Sequence, residues 1–120
     1  MTATVLLVED EEMLRVLLSE ALSLIDLQTV CCRSADEAMI TLEQAHPFSL
    51  VITDVCMPGT LDGVELAEKI WHRWPHLPVI ISSGNRVIRR EKLRDNASFL
   101  RKPWSLEQLH QIVLHHLASE

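Results

Sequence analysis

The chain has only three glycines, only three cysteines and no long apolar run, and each shortage closes off a class of protein. With so little glycine there is no Gly-x-Gly-x-x-Gly fingerprint and no Walker loop, so the usual backbone cradles for dinucleotides and nucleoside triphosphates are not there. Three cysteines, two of them adjacent at Cys31 and Cys32, do not make a disulfide framework. In a strand, neighbouring side chains point to opposite faces, which disfavours bridging that pair. A reducing compartment is the economical reading. No stretch approaches the roughly 18 apolar residues that a membrane span requires. Met1-Thr2-Ala3-Thr4 puts no basic segment before the first apolar run, so no secretory leader is expected and the location is read as cytoplasmic.

Positive charge is also scarce. The formal net charge of −6 argues against general nucleic-acid binding. The basic residues that do occur are bunched. Arg86, Arg89, Arg90, Lys92, Arg94, Arg101 and Lys102 share their segment with only Glu91 and Asp95, which leaves +5 there and −11 elsewhere. His115 and His116 adjoin, and His110 lies five residues before His115. That is not the i,i+4 spacing that puts two ligands on one helix face, so zinc is not expected.

What the chain does have is alternation. At 120 residues it is long enough for one domain with a real core. Val5-Leu6-Leu7-Val8 reads as a strand that runs into four acids, Glu9 to Glu12. A helix follows, with Leu14, Leu17, Leu18, Ala21 and Ile25 at helical spacing. A shorter strand spans Gln28 to Cys32. Ser34-Ala35-Asp36-Glu37 is a capping box opening a helix with Ala38, Leu42 and Ala45 on one face, stopped by Pro47.

The centre of the chain is Ser49-Leu50-Val51-Ile52-Thr53-Asp54-Val55-Cys56-Met57-Pro58-Gly59, an apolar run ending in a carboxylate and a turn. Gly63 starts a helix carrying Val64, Leu66, Ala67, Ile70 and Trp71. Val79-Ile80-Ile81 is a buried strand ending in Ser82-Ser83-Gly84, and the basic stretch after it reads as a short helix. Ala97 to Arg101 is a fifth strand, ended by Lys102-Pro103. Ser105 caps a last helix with Leu106, Leu109, Ile112, Val113 and Leu117 as its stripe. Strands alternating with helices in this way make a parallel α/β sheet covered on both faces, with right-handed crossovers.

Ligands of such sheets bind at the carboxyl ends of the strands. Parallel strands bring Glu9, Asp10, Asp54, Ser83 and Lys102 to that one rim. Three carboxylates in a small site raise one another's pKa, and a hard divalent cation relieves the conflict. Mg²⁺ takes oxygen ligands and leaves positions for water and phosphate oxygens. Lys102 supplies a compact positive charge for a phosphoryl group, and Ser83 a hydroxyl donor. A carboxylate nucleophile, a cation, an amine and a hydroxyl are the parts for making an aspartyl phosphate.

Val8-Glu9-Asp10-Glu11, Thr53 to Gly59, Ile81-Ser82-Ser83-Gly84 and Phe99-Leu100-Arg101-Lys102-Pro103, in that order, resemble the response-regulator receiver domain of two-component and phosphorelay signalling. The resemblance covers essentially the whole chain. It implies a flavodoxin-like, doubly wound five-stranded sheet in the order 2-1-3-4-5, and a single receiver domain over residues 1–120 with no output domain. It implies that Asp54 accepts a phosphoryl group from a histidine kinase or a histidine phosphotransfer protein. Asp10 would then bind Mg²⁺ directly, Glu9 through water, and Cys56 through its backbone carbonyl, with Asp54 completing the set. Lys102 would hold a phosphoryl oxygen, Ser83 would be the switch hydroxyl and Phe99 the switch aromatic, although Phe99 also suits plain core.

The departures are Glu9 where Asp is commoner, Ser83 where Thr is frequent, a loop from Gly59 to Gly63 one residue longer than usual, and a short segment from Ser83 to Phe99. The implied output is a protein partner, or a second copy of the chain, meeting the segment Arg86 to Lys102 and the last helix, with no direct nucleic-acid or membrane contact. The rival reading is an enzyme, a phosphatase of the haloacid-dehalogenase type. That family uses Asp-x-Asp, and here the second position is Cys56, which cannot serve as the general acid. A signalling module rather than an enzyme is expected.

Overall fold

The computed structural model describes residues 3–45, 47–55, 59, 61–84, 93–94 and 96–118. Strand β1 (Thr4–Val8) leads to helix α1 (Glu12–Ser23), β2 (Gln28–Cys32), α2 (Ala35–Ala45), β3 (Leu50–Asp54), α3 (Gly63–Arg73), β4 (Val79–Ser83), β5 (Ala97–Arg101) and α4 (Leu106–Ala118). The five strands form one sheet in the order β2-β1-β3-β4-β5, and every neighbouring pair is parallel. The expected architecture and strand order are therefore observed. The short helix read over the basic stretch falls on residues 85–92, outside the described residues.

Alternation along the strands sorts the core into two layers. Leu6, Val8, Val51 and Ile81 pack with Ala38 and Leu42 of α2 and with Leu66, Ala67 and Ile70 of α3. Val5, Leu7, Ile52 and Ile80 pack with Leu18, Ala21 and Leu22 of α1 and with Leu109 and Val113 of α4. Burying each such Val, Leu or Ile side chain fully contributes about 1.5–3 kcal/mol. The continuous apolar runs of β1, β3 and β4 are what a sheet covered on both faces demands.

Helix starts follow local chemistry. In α2, Ser34 Oγ accepts the Glu37 N–H at 3.1 Å. In α3, Asp62 accepts the Glu65 N–H at 2.8 Å while Glu65 accepts the Asp62 N–H at 3.0 Å, a complete capping box. Ser105 and Gln108 make the same reciprocal pair before α4, at 3.0 and 2.8 Å.

Two helix faces differ from expectation. On α1, Leu17 is exposed and Leu22 takes the buried place. On α4, Leu106 is exposed and His116 is buried within the stripe. His116 Nε2 lies 2.7 Å from the Ser98 hydroxyl of β5, with the His115 ring edge-on at 5.5 Å. Burial, with help from the His115 charge, holds the His116 pKa below its ordinary 6.5. The folded state therefore binds this proton less readily than the unfolded chain. The contribution is fully present above pH 6.5 and is lost as pH falls through 6.5 toward the folded value. Urea unfolding at pH 7.5 and 5.5 will show lower stability at 5.5, and His116→Gln will narrow the gap.

Candidate functional site

Each of four neighbouring strands ends at the same rim. β1 ends directly before Glu9 and Asp10, β3 ends on Asp54, β4 ends on Ser83, and β5 ends one residue before Lys102. The register pairs Val8 with Thr53 and Asp54 with Ser82, so the ends are level. Glu9, Asp10 and Asp54 each offer a carboxylate oxygen within 4.8 Å of the others. Lys102 Nζ lies 3.2 Å from Glu9 Oε1 and 3.4 Å from Asp54 Oδ2.

The four groups differ in environment. The Glu9 side chain is 3% exposed and that of Asp54 14%, whereas Asp10 lies open to solvent. Glu9 Oε2 accepts the Glu11 N–H at 3.1 Å, and Asp54 Oδ1 accepts the Val55 N–H at 2.7 Å. Burial pushes the Glu9 carboxyl above the usual carboxylate range. The Glu11 N–H and the Lys102 charge oppose that, and the Asp54 charge adds to it. For Lys102, burial works against the charged amine, but the Glu9 and Asp54 carboxylates outweigh it and hold the pKa above the ordinary value. The ammonium is thus firmly charged between two acids.

The hydroxyl and the aromatic flank this cluster. Ser83 is buried, and its carbonyl accepts the Lys102 N–H at 3.2 Å, tying the β4 end to the β5 end. Phe99 is half-buried against the core layer on the α2–α3 face. Ser82, beside Asp54 in the register, is buried, and its hydroxyl has no hydrogen-bond partner among the described residues. Cys56 lies outside the described residues. Three hard carboxylates that offer oxygens at this spacing, with no sulfur or imidazole among them, fit a small divalent cation such as Mg²⁺. Among the described residues this is the cluster of at least three possible ligands.

The pairing of Glu9 with Lys102, across 93 residues of chain, was not among the sequence expectations. Those gave each residue a role toward a ligand, not toward the other. Arg15 was missed altogether. Its Nη1 donates to the Glu9 carbonyl at 2.8 Å and to the Asp10 carbonyl at 3.0 Å. An arginine five residues past an acidic pair was the available signal, but its backbone partners are visible only in the fold.

Comparison with known proteins agrees with the geometry. The model of the response regulator receiver domain matches residues 5–114. The response regulator protein FleR of Pseudomonas aeruginosa is 41% identical over 119 residues, which is 97% of this chain and 25% of that protein. The sensor protein TorS of Escherichia coli is 29% identical over 93% of this chain and 12% of its own length. The chain thus spans a quarter or less of these two curated relatives. Among solved structures, the receiver domain of NtrX from Brucella abortus superposes with a TM-score of 0.86 at 30% identity, covering 97% of this chain and 99% of that one. A response regulator receiver protein from Sinorhizobium medicae, at 23% identity, shares the fold with a TM-score of 0.90 over 98% of this chain and 96% of that one.

Proposed function

We infer the function from one premise: the chain belongs to the response regulator receiver domain family, whose members are signalling modules of two-component systems. We propose that Asp54 accepts a phosphoryl group from the phosphohistidine of a histidine kinase or phosphotransfer protein. One carboxylate oxygen of Asp54 bonds to phosphorus, the P–N bond to the donor imidazole breaks, and that nitrogen takes up a proton. The observation carrying this reading is the convergence of Glu9, Asp10 and Asp54 within 4.8 Å beside the Lys102 ammonium, at the ends of strands that are separate in sequence.

The residues divide the work. Glu9, Asp10 and Asp54 would hold Mg²⁺, together with the Cys56 carbonyl expected from sequence. Bound Mg²⁺ neutralises charge on the transferring group. The Val55 N–H orients Asp54, and Lys102 exchanges its carboxylate partners for a phosphoryl oxygen. Ser83 donates its hydroxyl to the phosphoryl group, and Phe99 follows it inward. That shift changes what a protein partner or a second copy meets at the output region expected from sequence, the segment Arg86 to Lys102 and the last helix. No helix among the described residues is long and apolar enough to cross a membrane, and the reading places the domain in the cytoplasm.

Incubation with a small phosphodonor and Mg²⁺, followed by intact-mass measurement, tests the proposal. A gain of one phosphoryl group that requires the cation is expected; no gain in its presence overturns the reading. Cation binding should also be visible in stability. Mg²⁺ at ten times its Kd will raise the unfolding free energy by about 1.4 kcal/mol, read as an upward shift in Tm.

A further inference from the structure

Arg15 stands on the first turns of α1, its own N–H bonded to the Glu11 carbonyl at 3.0 Å. Its half-buried side chain turns back toward the backbone that follows β1. A single nitrogen, Nη1, bridges the carbonyls of Glu9 and Asp10. These are the peptide units on either side of the Asp10 Cα. Their orientation sets the direction in which the Asp10 side chain leaves the backbone. Glu9 has other anchors: its N–H donates to the Cys32 carbonyl at 3.0 Å, and its carboxylate is held by Glu11 and Lys102. The Asp10 side chain is exposed, so the backbone must aim it.

We propose that Arg15 is a positioning residue for cation binding, acting by clamping the Glu9–Asp10 backbone. This rests on the reading of Glu9, Asp10 and Asp54 as cation ligands. Mg²⁺ demands near-ideal octahedral geometry and tolerates little misdirection of a ligand. Groups that orient metal ligands from behind are worth about 10–100-fold in affinity.

Electrostatics alone would act in the opposite direction. A guanidinium bonded to the ligand loop repels a divalent cation, so deleting its charge without any loss of geometry would tighten binding. A purely structural arginine would alter unfolding and leave the affinity of the folded domain unchanged. The sign of the change therefore separates the three roles.

The test is titration of the folded domain with Mg²⁺ by calorimetry, for the unaltered chain, Arg15→Met and Arg15→Lys, with folding of each checked by circular dichroism. Arg15→Met keeps the apolar stem and removes the bridging nitrogen, and its Kd is expected to rise about tenfold. Arg15→Lys keeps the charge, but its amine ends one atom short of the Nη1 position, and its Kd is expected to fall between. The Arg15→Lys variant carries the test if Arg15→Met does not fold. An unchanged or tighter Kd in the folded variants overturns the inference while leaving the phosphoacceptor reading intact. An unaltered chain that binds no Mg²⁺ overturns both.

Discussion

Asp54→Asn will end phosphoryl uptake while the domain stays folded. Incubated with a small phosphodonor and Mg²⁺, the variant is expected to show no mass gain under conditions that phosphorylate the unaltered chain. An amide oxygen is too weak a nucleophile for the displacement, whereas the ionised carboxylate is well suited to it. The fold should persist because the replacement has the same shape. The Asn carbonyl oxygen can still accept the Val55 N–H that now bonds Asp54 Oδ1 at 2.7 Å. Lys102 loses one carboxylate at 3.4 Å but keeps Glu9 at 3.2 Å, so its ammonium is not left alone.

One of three clustered negative charges is also removed, which eases repulsion when no cation is bound. The Tm without Mg²⁺ should therefore be equal or higher, and the Mg²⁺-dependent rise should shrink. Spectral shifts at Ser83 and Phe99 on adding beryllofluoride with Mg²⁺, a mimic of the phosphoryl group, should disappear with the carboxylate. A variant that still gains a phosphoryl group would place the acceptor elsewhere, and peptide mapping would find it.

The rim was legible in the sequence because strand ends were. The apolar runs of β1, β3 and β4, cut off by acid or hydroxyl, and the shorter apolar run of β5, cut off by an amine, fix which residues reach the carboxyl edge once the strands are known to be parallel. Helix faces were less legible. Helix α1 carries Met13, Leu14, Val16, Leu17, Leu18 and Leu22, so apolar residues lie nearly all round it. Periodicity alone cannot choose between Leu17 and Leu22, and packing against β1 and β3 decides for Leu22. On α4, a stripe drawn through leucines passes over His116, whose burial depends on the Ser98 hydroxyl, 18 residues away, accepting it as a partner. Arg15 was hidden for a similar reason. A sequence displays a donor, but a backbone carbonyl as acceptor leaves no mark in it.

The same coupling of backbone to site makes Gly63 the position where the smallest change has a large consequence. Gly63→Ala is expected to cost roughly 3 kcal/mol, seen as a lower urea midpoint with unchanged slope. Helix propensity argues the other way, since alanine in place of glycine within a helix ordinarily gains about 0.5–1 kcal/mol. Contact decides the sign. A Cβ on Gly63 would run into the Asp54 carbonyl oxygen and lie 2.8 Å from its carbon and 2.9 Å from Val55 Cα. All three are backbone atoms, which no rotamer change can move aside.

Retreat of the helix is blocked as well. The Gly63 N–H donates to the Val55 carbonyl at 2.8 Å, and the Asp62–Glu65 capping box fixes the turn before it. Either that bond stretches or the end of β3 shifts, and the end of β3 is Asp54. The loss of stability should therefore come with weaker Mg²⁺ binding and slower phosphorylation, measured at a temperature where the variant is still folded. Gly63→Ala with normal stability would mean that the α3 start can move freely past the strand; normal stability lost but Mg²⁺ affinity retained would mean that Asp54 is held by its Val55 bond alone.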